Sequence, residues 1–213
     1  MTVVLLHAFP LDERMWEPQF AVVPDAIAPR LYGRGRTMDA WAESIGREVD
    51  GEVVVVGASM GGYCALAFAR RFPERVHRAL LLGSRPDADS EERRAGRAKT
   101  IALIRDEGPD ALWRDMVPKL FADERNADER LLHRDHEDLI AAVEAIRDRD
   151  DSTDVARKLG SRLRFVVGEH EQFVTGDELR EFDIREIRGA GHLANLERPN
   201  EFNELLREFL DDV

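Results

Sequence analysis

Residues 57–63 read Gly-Ala-Ser-Met-Gly-Gly-Tyr, between an apolar β-branched run at 53–56 and a run of helix formers at 64–69. A strand, a glycine-flanked serine and a helix in this order are typical of the nucleophile elbow, a sharp turn that lifts a serine hydroxyl above the end of a sheet. Side chains at the flanking glycine positions would collide with the neighbouring strand and helix. A glycine-rich turn that only connects two elements or cradles a phosphate is the alternative, and the context favours Ser59 as a nucleophile.

The composition fits a single domain that binds neither nucleic acid nor anionic lipid. The 213 residues include 31 basic and 43 acidic side chains, for a formal net charge of −12, which disfavours phosphate backbones and anionic headgroups as partners. No Ser/Gly-rich or Pro-rich linker interrupts the strand and helix signals. The one cysteine, Cys64, cannot form an internal disulfide, and its place in the helix after the elbow predicts a packed side chain.

The N-terminal residues 1–6 are apolar, but they lack a basic leader and are followed at once by His7 and Pro10. This segment is too short for a signal peptide or a membrane span, and no later stretch reaches the length that crosses a bilayer. We therefore expect a cytoplasmic protein without a membrane partner.

Short runs of strand-forming residues predict strands at 2–6, 26–29, 52–56, 79–82, 163–167 and 184–187. Several are apolar on both faces, as strands are when helices cover both sides of a sheet. Helical patterns lie between or after them at 40–49, 62–71 and 201–210. The alternation predicts an α/β fold with a mostly parallel sheet of about six strands, and a ligand site beyond the carboxyl ends of those strands.

Between residues 86 and 154 the strand signal stops, and helical patterns follow at 90–107, 109–121 and 136–149. A helical insertion between two strands of such a sheet is most simply a lid across the site. The predicted division is therefore a core of 1–85 and 155–213 and a lid of 86–154. Apolar lid residues at helical spacing either face the substrate or pack the lid onto the core.

Five segments resemble successive parts of one known fold: an oxyanion loop at 5–12 with Met15 and Trp16, a strand-exit loop at 29–36, the elbow at 57–63, a crossover at 70–76, and a histidine loop with the final helix at 189–199. Together they resemble the α/β-hydrolase superfamily, and within it the small cofactor-free esterases and lactonases typified by 3-oxoadipate enol-lactonase. The resemblance implies an α/β-hydrolase fold, no cofactor, and a small-molecule ester or lactone as substrate.

The sequence departs from that family's pattern in three places. The family usually has two more strands at the start, whereas this chain opens on the oxyanion strand, which leaves open whether an exposed sheet edge pairs with a second copy in a homodimer. Ala8 stands where the oxyanion loop usually has glycine. Glu171 stands where the acid after the penultimate strand is usually aspartate.

A serine hydroxyl is a poor nucleophile at neutral pH, so it needs a base within hydrogen-bond reach and a third group that orients the base. Of the six histidines, His192 lies just past the last predicted strand, where Gly189 and Gly191 let the loop bend towards the elbow. His192 is therefore the predicted base. His7 is expected to brace the oxyanion loop, and the charged cluster around His133 is typical of a solvated surface, so no metal site is predicted.

The resemblance implies that Glu171 is the acid, because it follows Gly168 at the family's spacing and the family's order along the chain is serine, acid, histidine. Two rivals stay open. Glu169 is its neighbour, and Asp87 follows an earlier strand from whose loop some members of the superfamily draw their acid.

Acyl transfer puts negative charge on the substrate's carbonyl oxygen, so two preorganised donors must await it. The backbone N–H of Met60, directly after Ser59, is one predicted donor, and by resemblance the N–H of Phe9 is the other. The remaining predicted pocket residues are Trp16, Tyr32, Trp113, Met116 and Phe121.

The sequence thus predicts a serine hydrolase that cleaves a carboxylic ester or lactone through an acyl-enzyme, with Ser59 as nucleophile, His192 as base and Glu171 as orienting acid. Two alternatives keep the same triad: an acyltransferase or perhydrolase, and a carbon–carbon bond hydrolase. A third is a ligand-binding member of the fold that has lost turnover.

Overall fold

Five of the six predicted strand runs form strands, and all five belong to one parallel sheet. They are β1 (Thr2–Leu6), β2 (Val53–Ala58), β3 (Val76–Leu82), β4 (Leu163–Gly168) and β5 (Asp183–Ile187). Each strand pairs in parallel with the next in chain order, from β1 at one edge to β5 at the other. The computed structural model describes residues 1–211, so the last two residues of the predicted core, 212 and 213, lie outside the described residues.

The predicted strand at 26–29 is reduced to a single parallel bridge between Ile27 and β1. The Ile27 N–H donates to the Val3 carbonyl at 2.9 Å, and the Ile27 carbonyl accepts from the Leu5 N–H at 2.8 Å. The next residue whose N–H would face β1 is Pro29, and proline has no N–H. Pairing therefore stops after one residue, and the sheet has five strands rather than about six.

Eight α-helices lie within residues 1–211: α1 (Met38–Glu48), α2 (Met60–Arg71), α3 (Glu91–Glu107), α4 (Pro109–Leu120), α5 (His136–Arg147), α6 (Thr153–Leu159), α7 (Ala194–Glu197) and α8 (Pro199–Asp211). Side chains of Thr37, Ser90 and Asp135 accept N–H groups at the starts of α1, α3 and α5. Such caps replace partners that the first turn of a helix lacks. The insertion thus contains the three helices that the sequence predicts, and the seven-residue α6 begins at Thr153, just before the predicted end of the insertion.

Alternate residues of each strand enter two different cores, one on each face of the sheet. In β2, Val53 and Val55 belong to the core formed with α1 and α2, whereas Val54 and Val56 belong to the core formed with α8. Successive side chains of a strand point to opposite faces, so a strand between two helical layers must be apolar throughout. Cys64 lies fully buried in the first core, and burial raises the pKa of its thiol to about 12.

The segments that begin and end the helical insertion are tied to each other. The Ser152 N–H donates to the Pro86 carbonyl at 2.8 Å. The fully buried carboxylate of Asp89 pairs with Arg149 at 2.7 Å and with Arg97 at 3.0 Å. The two ends of the segment that contains α3 to α5 therefore lie next to each other, close to the end of β3. Within residues 1–211, no helix has the length and apolar character that a bilayer span requires.

Candidate active site

Ser59 occupies a strained turn between β2 and α2. Its φ of 49° is positive, which no other non-glycine residue between 1 and 211 shows, and such a backbone conformation costs free energy for a residue with a side chain. Two hydrogen bonds hold the turn: the Ser59 N–H donates to the Leu82 carbonyl at 2.7 Å, and the Ser84 hydroxyl donates to the Ser59 carbonyl at 3.0 Å. Neighbouring β3 thus supports the conformation that presents the serine.

The glycines on either side of Ser59 leave no room for a side chain. A Cβ on Gly57 would lie 2.6 Å from the carbonyl carbon of Gly61, and a Cβ on Gly61 would lie 2.0 Å from the carbonyl oxygen of Leu6. Both distances are far below carbon contact distances of about 3.5 Å. The expectation that only hydrogen fits at these two positions is confirmed.

His192 and Glu171 form a buried pair although 20 residues separate them along the chain. Glu171 lies in the loop after β4 and His192 in the loop after β5, and the imidazole Nδ1 is 2.7 Å and 2.8 Å from the two carboxylate oxygens. Their side chains are 2 % and 4 % exposed. The Phe173 N–H also donates to the Glu171 carboxylate at 2.8 Å.

Burial by itself would raise the pKa of Glu171, but the adjacent His192 and the hydrogen bonds to the carboxylate outweigh it and hold the pKa below its usual value. Glu171 is therefore ionised at neutral pH. An ionised carboxylate only accepts hydrogen bonds, so the proton of neutral His192 resides on Nδ1. The other ring nitrogen, Nε2, is left as the basic site.

The two rival acids have other partners. Asp87 forms an ion pair with Arg85, with 2.6 Å between Nη2 and a carboxylate oxygen. Glu169 is exposed and accepts the Gly189 N–H at 2.8 Å. Within the described chain, Glu171 is the carboxylate that hydrogen-bonds to the His192 ring.

Ser59 and His192 line one cleft of about 630 Å³. No hydrogen bond joins their side chains in residues 1–211, and catalytic hydrogen bonds of this kind are often long before a substrate binds. The floor beneath the imidazole is the backbone of Gly83, where a Cβ would lie 2.7 Å from both Cε1 and Nδ1 of His192. The ring therefore rests directly on the end of β3.

Two backbone amides near Ser59 have no acceptor within the described residues. Met60 begins α2, so its N–H has no partner inside that helix. Phe9 lines the cleft, and its N–H makes no hydrogen bond in residues 1–211 either. Free amides at a helix start favour negative charge.

His7 braces the loop that carries Phe9, as the sequence predicts. Its Nε2 accepts the Leu31 N–H at 2.9 Å, and its Nδ1 donates to the Ala8 carbonyl at 3.2 Å. Burial lowers the pKa of His7 to about 4, so the ring is neutral at pH 7. Tyr32 packs against His7, with 4.9 Å between ring centroids.

The cleft wall combines apolar and charged side chains. Its apolar members are Phe9, Tyr63, Met116, Leu120, Ile146 and Phe173. Its charged members are Arg85, Asp89, Glu92, Arg93, Arg97, Asp115, Lys119 and Glu178. The charged members could not be identified from the sequence, because arginines and glutamates on a helix look the same in sequence whether they face a cleft or bulk solvent.

Of the five predicted pocket side chains, Met116 lines the cleft and the other four lie in the two cores. Trp16 packs against Phe202 of α8. Trp113 and Phe121 contact each other edge to face and join that same core. Tyr32 belongs to the opposite core, where its hydroxyl donates to the Leu11 carbonyl at 3.0 Å. Helical spacing therefore identified the apolar side of α4, but part of that side packs into a core, as Trp113 does, and part lines the cleft, as Met116 does.

Comparison with known sequences places most of the chain within one family profile. Residues 3–205 match the profile of the Alpha/beta hydrolase family. The chain is 36% identical over 93 aligned residues to a pimeloyl-[acyl-carrier protein] methyl ester esterase from Aromatoleum aromaticum, in a match that covers 39% of this chain and 37% of that protein. The match thus spans little more than a third of that relative's length.

Solved structures match this chain over nearly its whole length. A thermophilic esterase from Thermogutta terrifontis with malate bound superposes with a TM-score of 0.86 and 30% identity, covering 100% of this chain and 90% of that one. The enol-lactonase from Burkholderia xenovorans LB400 superposes with a TM-score of 0.83 and 24% identity, covering 99% of this chain and 91% of that one. The second likeness shows the fold alone.

Proposed function

The chain belongs to the alpha/beta hydrolase family, and from that premise we propose that it hydrolyses a carboxylic ester or lactone through an acyl-enzyme. The observation that carries the proposal is the buried His192–Glu171 pair, whose histidine lines the same cleft as a serine held in a strained elbow. The esterase names of the Aromatoleum and Thermogutta relatives support an ester as the substrate.

In the proposed first step, Ser59 Oγ attacks the substrate carbonyl carbon while its proton passes to His192 Nε2. The tetrahedral intermediate collapses, the bond to the leaving oxygen breaks, and that oxygen takes the proton from Nε2. Water then attacks the acyl-enzyme, with Nε2 as base again, and the proton returns to Ser59 as the acid product leaves. The ionised Glu171 stabilises the imidazolium that forms in each half of the reaction.

The amides of Met60 and Phe9 are the proposed donors to the oxyanion. Their freedom from other acceptors supports this role, because donors that are already fixed in place need no reorganisation as charge develops. Each donor of this kind contributes about 3 kcal/mol of transition-state stabilisation.

We assign the helices between residues 86 and 154 as a lid on a core of 1–85 and 155–211. Support comes from the cleft wall, to which α3 contributes Arg93 and Arg97, α4 contributes Met116 and Lys119, and α5 contributes Ile146. Within residues 85–119 each basic side chain of the wall pairs with a carboxylate. The charged side chains of the cleft wall therefore carry no surplus of positive charge.

The test compares Ser59→Ala with the wild type on a panel of short-chain p-nitrophenyl esters. Turnover should fall by about 10³-fold or more, because the nucleophile is lost and only binding and the oxyanion donors remain. Ser161→Ala is the control, since Ser161 is exposed and precedes β4. Wild-type turnover in Ser59→Ala would overturn the proposal. Product analysis with a competing alcohol or peroxide separates hydrolysis from acyl transfer.

A further inference from the structure

Glu197, the last residue of α7, gathers four N–H donors onto one buried carboxylate. Its Oε2 accepts from the Gly191 N–H at 2.6 Å and the Ala122 N–H at 3.2 Å. Its Oε1 accepts from the Asp123 N–H at 3.0 Å and from the side-chain amide of Asn126 at 3.3 Å. The residue is 6 % exposed, and no step of the proposed reaction uses it.

A buried carboxylate is costly unless hydrogen-bond donors replace the water that it loses. Glu197 makes no ion pair within the described chain, so backbone and amide N–H groups supply that compensation. Hydrogen bonds to a charged acceptor are shorter and about twice as strong as neutral ones. The carboxylate therefore holds two segments, 122–126 and the loop at Gly191, at fixed positions relative to α7.

The loop that Glu197 holds is the one that carries His192. Gly191 directly precedes the histidine, and a Cβ at Gly191 would lie 2.7 Å from the Ala122 nitrogen. On the other side of the histidine, the Leu193 N–H donates to the Leu120 carbonyl at 3.2 Å. The backbone is thus anchored on both sides of His192 to the end of α4 and the segment that follows it.

We propose that Glu197 is a positioning residue for the base, an inference that rests on the proposed function. Glu171 orients the imidazole ring by its hydrogen bond, whereas Glu197 fixes the backbone from which that ring extends. A misplacement of about 1 Å in a catalytic geometry costs about 10²-fold in rate. Loss of the hydrogen bonds of Glu197 therefore lowers the rate of the chemical step, because His192 Nε2 and the Ser59 hydroxyl adopt the reactive geometry less often.

The experiment uses Glu197→Gln, Glu197→Ala and a matched control, Arg75→Ala. Arg75 also satisfies three backbone groups with one side chain, the carbonyls of Gly46, Val49 and Gly51. It precedes β3, at the opposite end of the strands from the cleft. Its removal therefore weakens the structure without releasing the histidine loop.

We expect kcat on a p-nitrophenyl ester to fall by about 10- to 100-fold in Glu197→Ala, with KM changed less than about threefold. Glu197→Gln keeps the shape and one acceptor oxygen, so it should fold and show a smaller loss of the same kind. The rate at which a fluorophosphonate modifies Ser59 should fall in parallel. Arg75→Ala should lower the free energy of unfolding while kcat per folded molecule stays at the wild-type value.

The outcomes separate this inference from the proposed function. If the wild type reacts with the fluorophosphonate and both Glu197 variants react at the same rate per folded molecule, Glu197 is only a structural anchor and the inference is overturned. If wild-type Ser59 does not react at all, the proposed function itself fails. Should Glu197→Ala not fold, Glu197→Gln decides the matter alone.

Discussion

Replacing Gly83 by alanine should disable the site by pushing the base away from the serine. Gly83 follows β3 with a φ of +56°, and a Cβ there would lie 2.7 Å from Cε1 and Nδ1 of His192 and 3.1 Å from a carboxylate oxygen of Glu171. Both side chains are buried and joined to each other. A methyl group at position 83 therefore displaces the pair rather than one flexible end.

The size of the effect follows from these distances. Heavy atoms in ordinary contact are about 3.5–4.0 Å apart, so a contact at 2.7 Å requires the ring to retreat by about 1 Å. Such a misplacement costs about 10²-fold in rate, which corresponds to about 2.7 kcal/mol of activation free energy. Alanine in the left-handed region adds a separate cost of about 1–2 kcal/mol to the free energy of folding.

Gly160→Ala separates the two effects. Gly160 has the same φ of +56°, and nothing lies within 4 Å of a Cβ at that position, so the variant has the backbone cost without the contact. Both variants should lose stability in urea unfolding, Gly83→Ala by more because it also displaces the buried pair, and only Gly83→Ala should lose ester turnover. Equal turnover in the two variants would refute the claim that the imidazole rests on the backbone of residue 83.

Two further predictions concern pH. The pKa of His7 is about 4 when folded, against 6.5 as its usual value, so the unfolded chain takes up the proton first and stability falls as the pH drops from 6.5 towards 4. Between pH 7.5 and pH 5 this group should remove about 2 kcal/mol of unfolding free energy, a loss that urea titrations should show in the wild type and not in His7→Gln. The pKa of Glu171 lies below its usual value of 4.5, so its stabilisation is complete above pH 4.5 and is lost as the pH falls through the folded pKa. Glu171→Gln should lower kcat by about 10⁴-fold at neutral pH, because the carboxylate that orients His192 is lost. Its deficit in unfolding free energy relative to the wild type should shrink below pH 4.5. A deficit that stays constant with pH would contradict the ionised pair.

The parts of the fold that the sequence predicts well are those in which local chemistry leaves one solution. The elbow is one case, because a strand, two glycines without room for a Cβ and a helix start are consecutive in the chain. The meeting of Glu171 and His192 is not such a case: both follow strands whose carboxyl ends lie on the same side of a parallel sheet, but local chemistry alone left two rival acids open. Family spacing favoured Glu171 over Glu169 and Asp87, and the hydrogen-bond partners of the three carboxylates differ accordingly.

What the sequence could not predict depends on partners that are distant along the chain. Trp113 and Phe121 have the apolar spacing of a helix face, but that spacing does not say whether the face meets a substrate or another core. The prediction of a strand at 26–29 was wrong for a different reason. The missing N–H of Pro29 ends the pairing, but this can be recognised only when the register with β1 is known. The register of a strand and the partner of a helix face depend on tertiary contacts, so a short stretch of sequence does not reveal them.

Three separate features converge on the position of one imidazole. Glu171 holds the ring at Nδ1, the bare backbone of Gly83 supports the ring from below, and Glu197 anchors the residue before it. A polar, a steric and a backbone constraint of this kind act on different degrees of freedom: rotation of the ring, its height above the sheet, and the path of the loop. Loss of any one of the three leaves motion that the other two cannot restrain. A ring displaced by either Gly83→Ala or Glu197→Ala has therefore already left the reactive geometry. The rate losses of the two variants should combine less than additively in free energy.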